Sequence, residues 1–135
     1  MSGSEPGFWD AVDTIRERDD GFRREAYGFV VAALGAVVQA LPQERRADPE
    51  RRHLSGRELL DGVVRLARDE FGALAPTVFR EWGVERAEDI GRIVFQLVEN
   101  GQLSARPEDR LEDFQGGPDL LRALTENLDL GSRRN

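Results

Sequence analysis

What most constrains this chain is its longest apolar run, Tyr27 to Leu41, about fifteen residues broken only by Gln39. A helix that crosses a membrane needs about 20 consecutive apolar residues, so a run of this length reads as a core helix. Pro42 ends it, because proline has no N–H to donate and its ring clashes with the preceding turn. Traced back to Phe22, the helix is apolar on nearly every side. That pattern predicts a central helix covered by its neighbours.

The rest of the chain supplies those neighbours. Phe8, Val12 and Ile15 recur at helical spacing over 8–18, and Asp19-Asp20-Gly21 breaks the pattern. Residues 42–54 hold Pro42, Pro49 and four arginines with no apolar period, the signature of a surface loop. Ser55-Gly56-Arg57-Glu58 has capping-box spacing and opens a helix to Phe71, with Leu59, Leu60, Val63, Leu66 and Ala67 on one face and Gly72 as the stop. Pro76 suits a first turn, so a short helix is expected to Trp82, ended by Gly83. A further helix over 87–99 turns Ile90, Val94, Leu97 and Val98 inward. Gln102–Ala105 and Arg110–Phe114 read as a small hairpin, and 119–127 as a last short helix. The expectation is a mainly α fold, a bundle of five or six helices with a small C-terminal β-hairpin. It forms one domain over 8–121, with tails at 1–7 and 128–135.

Composition excludes several chemistries. Without cysteine there is no disulfide, thiolate nucleophile or iron–sulfur cluster. All 19 basic residues are arginine, as codon usage in a GC-rich genome produces, so neither Schiff-base chemistry nor a P-loop lysine is available. One His leaves no His-rich metal site, and no cofactor is expected. The net charge of −7 argues against general affinity for nucleic acid or an anionic membrane. The acidic, polar start Met1–Gly7 does not look like a secretion signal, so a cytoplasmic location is expected.

The order of elements over 75–114 has the layout of a winged helix-turn-helix. Its would-be recognition helix sets Arg86 and Arg92 against Glu88, Asp89 and Glu99, a balance that repels phosphates. DNA is therefore not the expected partner.

Several stretches resemble a family of small, uncharacterised bacterial proteins. They are Glu25-Ala26-Tyr27, Arg52-His53-Leu54-Ser55-Gly56 with Glu58-Leu59-Leu60, Glu81-Trp82-Gly83, and Asp113-Phe114 before Gly116-Gly117. The resemblance covers roughly residues 8 to 121. It implies grouping without mechanism and draws attention to the His–Leu–Ser–Gly stretch.

Two candidate sites follow from the residues themselves. Segment 42–57 carries five arginines against Glu44, Asp48 and Glu50, and runs into a helix N-terminus. Arg51, Arg52, His53, Ser55 and Arg57 are the residues there for a phosphate, nucleotide, RNA backbone or carboxylate. The plainer reading makes Ser55 a helix cap and pairs the arginines with local acids. A Ser/His hydrolase would need an elbow motif, which is missing. The second candidate is a partner surface of Glu81, Trp82, Asp109, Asp113 and Phe114, acidic and aromatic-edged. Trp82 reads as a core lid in the plainer account, as do Phe8 and Trp9. The function expected is a non-enzymatic module that binds another protein. The alternative is a small-anion, nucleotide or RNA-backbone binder on the Arg51–Arg57 loop. A homodimer is allowed, because a small domain does not always cover its own apolar helices.

Overall fold

Val12 and Ile15, three apart on one helical face, are the buried residues of the first helix, α1 (Phe8–Arg18). The computed structural model describes residues 7–51, 54–103 and 119–125. Five further helices follow among the described residues: α2 (Arg24–Ala40), α3 (Gln43–Ala47), α4 (Gly56–Phe71), α5 (Ala75–Trp82) and α6 (Ala87–Glu99). A 3₁₀ turn, Gly72–Leu74, joins α4 to α5. Residues 120–125 are also helical, and their Leu120 and Leu124 reach the common core. No helix among the described residues is long and apolar enough to cross a membrane.

The core forms where α4 lies against α2 and α5 and α6 close over them. Leu59, Leu60, Val63 and Ala67 of α4, Phe79 of α5 and Ile90, Ile93 and Leu97 of α6 are buried with Tyr27 and Val30 of α2. Gly62 sets the spacing of α2 and α4, since a methyl group there would run into the Val37 side chain. α5 ends in a Schellman motif at Gly83 (φ +86°), with Gly83 N–H donating to Arg80 O at 3.0 Å and Val84 N–H to Phe79 O at 2.9 Å. Val84, the residue just past the cap, is itself buried. Arg23 N–H donates to Trp82 O at 3.0 Å, docking the turn between α5 and α6 onto the turn between α1 and α2.

Four sequence expectations change. The 42–54 segment is not all loop, because α3 forms directly after Pro42. No strand occurs among the described residues, where Gln102 and Leu103 lie in a bend. The remainder of the expected hairpin, 104–114, lies outside them, as do both expected tails apart from Gly7. On α6 the buried stripe runs through Ile90, Ile93 and Leu97, leaving Val94 and Val98 half-buried. The largest change concerns α2. Only Ala26, Tyr27, Val30 and Ala33 are buried on it. α1, α5 and α6 meet its first half, through Trp9 on Gly28, Phe79 and Trp82 on Phe29, and Gln96 on Tyr27. From Val31 to Leu41 only Ala33 is buried, while Ala32, Gly35, Ala36, Gln39 and Ala40 are exposed.

Candidate functional site

Ser55 is the N-cap of α4, its Oγ accepting from Glu58 N–H at 3.0 Å. Glu58 Oε1 accepts from Ser55 N–H at 2.9 Å in return, closing the box that the sequence spells. Glu58 also takes a two-pronged grip from Arg45 of α3, Nη1 to Oε2 at 2.6 Å and Nη2 to Oε1 at 2.8 Å. Arg45 Nε reaches Arg51 O at 2.6 Å, so this one guanidinium ties α3 and the end of the 48–51 turn to α4. Hydrogen bonding from Arg45, opposed by partial burial and helped by Ser55, holds the Glu58 carboxyl down to about 2. A carboxylate charged at every ordinary pH thus occupies the mouth of this helix, where the dipole and free N–H groups would attract an anion. Arg51 and Arg57 are exposed. Arg52 and His53 lie outside the described residues. Of the expected anion set, the described structure places Arg51, Ser55 and Arg57 near one helix end, with Ser55 committed to its cap. Arg45 and Glu58 are the residues that organise the region. The box was legible from local spacing, whereas the Arg45 grip depends on how α3 folds back.

Trp82 is half-buried in an aromatic cluster. Its ring stacks on Phe79 (centroids 5.4 Å apart, planes at 30°), meets Phe71 edge-on at 5.7 Å and touches Phe29 at 5.4 Å. It serves as a lid on the α2–α4–α5 junction. Glu81 is exposed and makes a long contact with Arg23, 3.9 Å between two exposed groups, an arrangement of small energetic worth. Asp109, Asp113 and Phe114 lie outside the described residues, so only Glu81 and Trp82 of the expected partner surface can be placed. Trp9 is 43% exposed and lies over Gly28 of α2, with the Arg24 guanidinium 4.8 Å from its ring centre.

The polar group of longest sequence reach among the described residues joins positions 69 to 77 apart. Tyr27 Oη donates to Gln96 Oε1 at 2.6 Å, and Gln96 Nε2 donates to Asp19 Oδ2 at 3.1 Å. The same Asp19 oxygen accepts from Arg92 at 3.1 Å, and the Arg92 guanidinium lies 5.1 Å from the Phe22 ring centre. Beside this chain, Arg18, Glu99 and Asn100 edge a shallow cavity of about 130 Å³ between the ends of α1 and α6. Thr14, Asp19 and Gln96 also line it, with the Thr14 hydroxyl donating to Asp10 O at 3.1 Å. Among the described residues there is no cluster of three or more His, Cys, Asp or Glu that could hold a metal ion.

Burial of the phenol, assisted by the Asp19 carboxylate and opposed by Arg16 and Arg92, raises the Tyr27 pKa from 10.0 to about 12. An unfolded phenol ionises near 10. The stability this group adds is therefore complete below pH 10 and is lost as pH rises towards 12. Tyr27 is the chain's single tyrosine, so phenolate absorbance reports it alone. The expected midpoint is near 12, or coincides with loss of helical circular dichroism if alkali unfolds the chain first. A midpoint near 10 in the folded protein would refute this burial.

Comparison with known proteins leaves the assignment to the chain's own geometry: no family model, curated protein or solved structure matches it.

Proposed function

We propose that this chain is a cytoplasmic, non-enzymatic module that acts by binding another protein chain, as its residues suggest. The observation that supports the reading is the outer half of α2. An apolar helix segment left in water loses the free energy that burial supplies, about 25 cal/mol for each Å². Soluble domains rarely keep such contiguous surface without a use for it. Between Val31 and Leu41, Ala32, Gly35, Ala36 and Ala40 are exposed, and Val31, Leu34, Val37, Val38 and Leu41 stay half-buried. Glu81 and the exposed Arg51 and Arg57 remain secondary surfaces. The competing reading, an anion site on the Arg51–Arg57 loop, would seat its ligand beside the charged Glu58 carboxylate. Phosphate or a short RNA at low salt is accordingly expected to leave the amide resonances of 54–58 in place.

The direct test is a photo-crosslinking residue at Ala36 in the full chain, illuminated in cells, with adducts identified by mass spectrometry. The expected result is a discrete protein–protein adduct that is missing when the probe sits at Glu70, an exposed position of α4. No protein adduct at Ala36 would sink the proposal.

A further inference from the structure

Resting on that protein-binding reading, we infer that α3 is a salt-sensitive strap. The Arg45–Glu58 pair clasps it shut, and while shut it holds the outer end of α2, part of the proposed binding face, in helical form. Backbone hydrogen bonds alone do not keep so short a helix in water, and no residue of α3 is buried. Its sequence, Gln43-Glu44-Arg45-Arg46-Ala47, offers the core a single methyl group. Polar ties hold it instead, and two neighbouring arginines make them. Arg45 reaches forward to α4 in its two-pronged grip on Glu58. Arg46 reaches back to α2, its Nη1 donating to Gln39 O at 2.9 Å. That carbonyl is among the last four of α2, which lack a partner within the helix, and a guanidinium suits the negative end of the helix dipole. α3 thus bridges the end of α2 and the start of α4.

The clasp is the part that answers to solution conditions. The Arg45 and Glu58 side chains are 25% and 36% exposed, so dissolved ions reach the pair and screen it, while apolar packing is indifferent to screening. Opening parts polar ties and takes no α3 residue out of the core, so it proceeds below the free energy of global unfolding. Once α3 is open, Arg46 leaves Gln39 O and the last turn of α2 loses a cap.

Amide hydrogen exchange by NMR in the full chain tests this at both ends of the strap. Arg46 N–H and Asp48 N–H, bonded to Pro42 O and Arg45 O, report α3, and Leu41 N–H, bonded to Val38 O, reports the end of α2. Val30 and Val63 report the core helices. Raising the salt from about 20 mM to about 1 M is expected to speed exchange at Arg46, Asp48 and Leu41 by about threefold and to leave Val30 and Val63 unchanged. Glu58→Gln removes the charge but keeps an acceptor for the capping box, where glutamine also serves. It should speed the same three amides by about tenfold and abolish their response to salt. Arg45→Gln breaks the clasp from the other side with Glu58 untouched and should match it. Arg65→Gln, at an exposed position of α4, removes the same charge elsewhere and should change nothing. Arg46 and Asp48 amides that ignore both salt and the clasp variants overturn the inference. So does a Leu41 amide that stays slow while α3 opens, or exchange at Val30 and Val63 that rises by the same factor. None of these readouts needs a partner. A strap that behaves as expected beside a missing Ala36 adduct would fault the binding reading alone, and a captured partner beside an unresponsive α3 would fault the strap alone.

Discussion

Gly83→Ala is expected to destabilise the fold by about 3 kcal/mol or more, lowering the melting temperature by on the order of 10 °C. Two separate physical effects add there. The first is conformational: Gly83 sits at φ +86°, where a side chain costs about 1–2 kcal/mol. The second is steric. A methyl group on Gly83 would collide with the carbonyl oxygen of Gly21, and that atom belongs to backbone rather than to a flexible side-chain tip. The Gly21 turn is itself held, by Gly21 N–H donating to Asp19 Oδ1 at 3.0 Å and Arg23 N–H donating to Trp82 O. Relief would therefore mean separating the two turns that lock α1–α2 onto α5–α6. Gly101 divides the effects experimentally. It has φ +76° with nothing within 4 Å of an added methyl, so Gly101→Ala should cost only the conformational part. Chemical denaturation of both variants measures the difference. If the two lose equal stability, the Gly21–Gly83 approach contributes nothing and the turns are more yielding than their geometry implies.

What could be read from the chain alone was what depends on near neighbours. The Ser55–Glu58 box joins residues three apart, Pro76 and Gly83 mark the two ends of one short helix, and Gly72 follows Phe71 as the stop of α4. Each of these signals acts within one helical turn. α3 was missed because a five-residue helix has no apolar period to display, and its Arg45 is fastened to Glu58, thirteen residues on. The Tyr27–Gln96–Asp19 chain was missed for the same reason at longer range. The case of α2 is different in kind. Composition says that a helix is apolar, but whether its neighbours extend far enough to cover it is a matter of their length and crossing angle. α1 and α5 are shorter than α2, eleven and eight residues against seventeen, and their contacts fall on its first half. At the candidate site, the same limit applied. The cap was visible in the sequence, but the carboxylate that fills the helix mouth gained its guanidinium partner only through the fold.

Phe79→Ala is expected to cost about 3–5 kcal/mol, the range for emptying a buried aromatic site. Phe79 is 1% exposed, and its ring is packed between Phe29, edge-on at 5.7 Å, and Trp82, stacked at 5.4 Å. The variant also decides what Trp82 does. If Trp82 is a lid, removing the ring beneath it lets water reach the indole, and its native-state fluorescence shifts to the red. Measuring in a Trp9→Phe background removes the other tryptophan, which is 43% exposed and would mask the change. An indole that stood free as a partner anchor would keep its emission when Phe79 is lost, and that outcome would restore Trp82 as a binding residue. The consequence for function is practical. Loss of binding in a Trp82 variant would not distinguish a broken interface from a loosened α5, because the same ring supports both Phe71 and Phe29. Ala32, Gly35 and Ala36 lie exposed on α2, so a charge placed there leaves the buried packing alone. Association can be judged at those positions separately from stability.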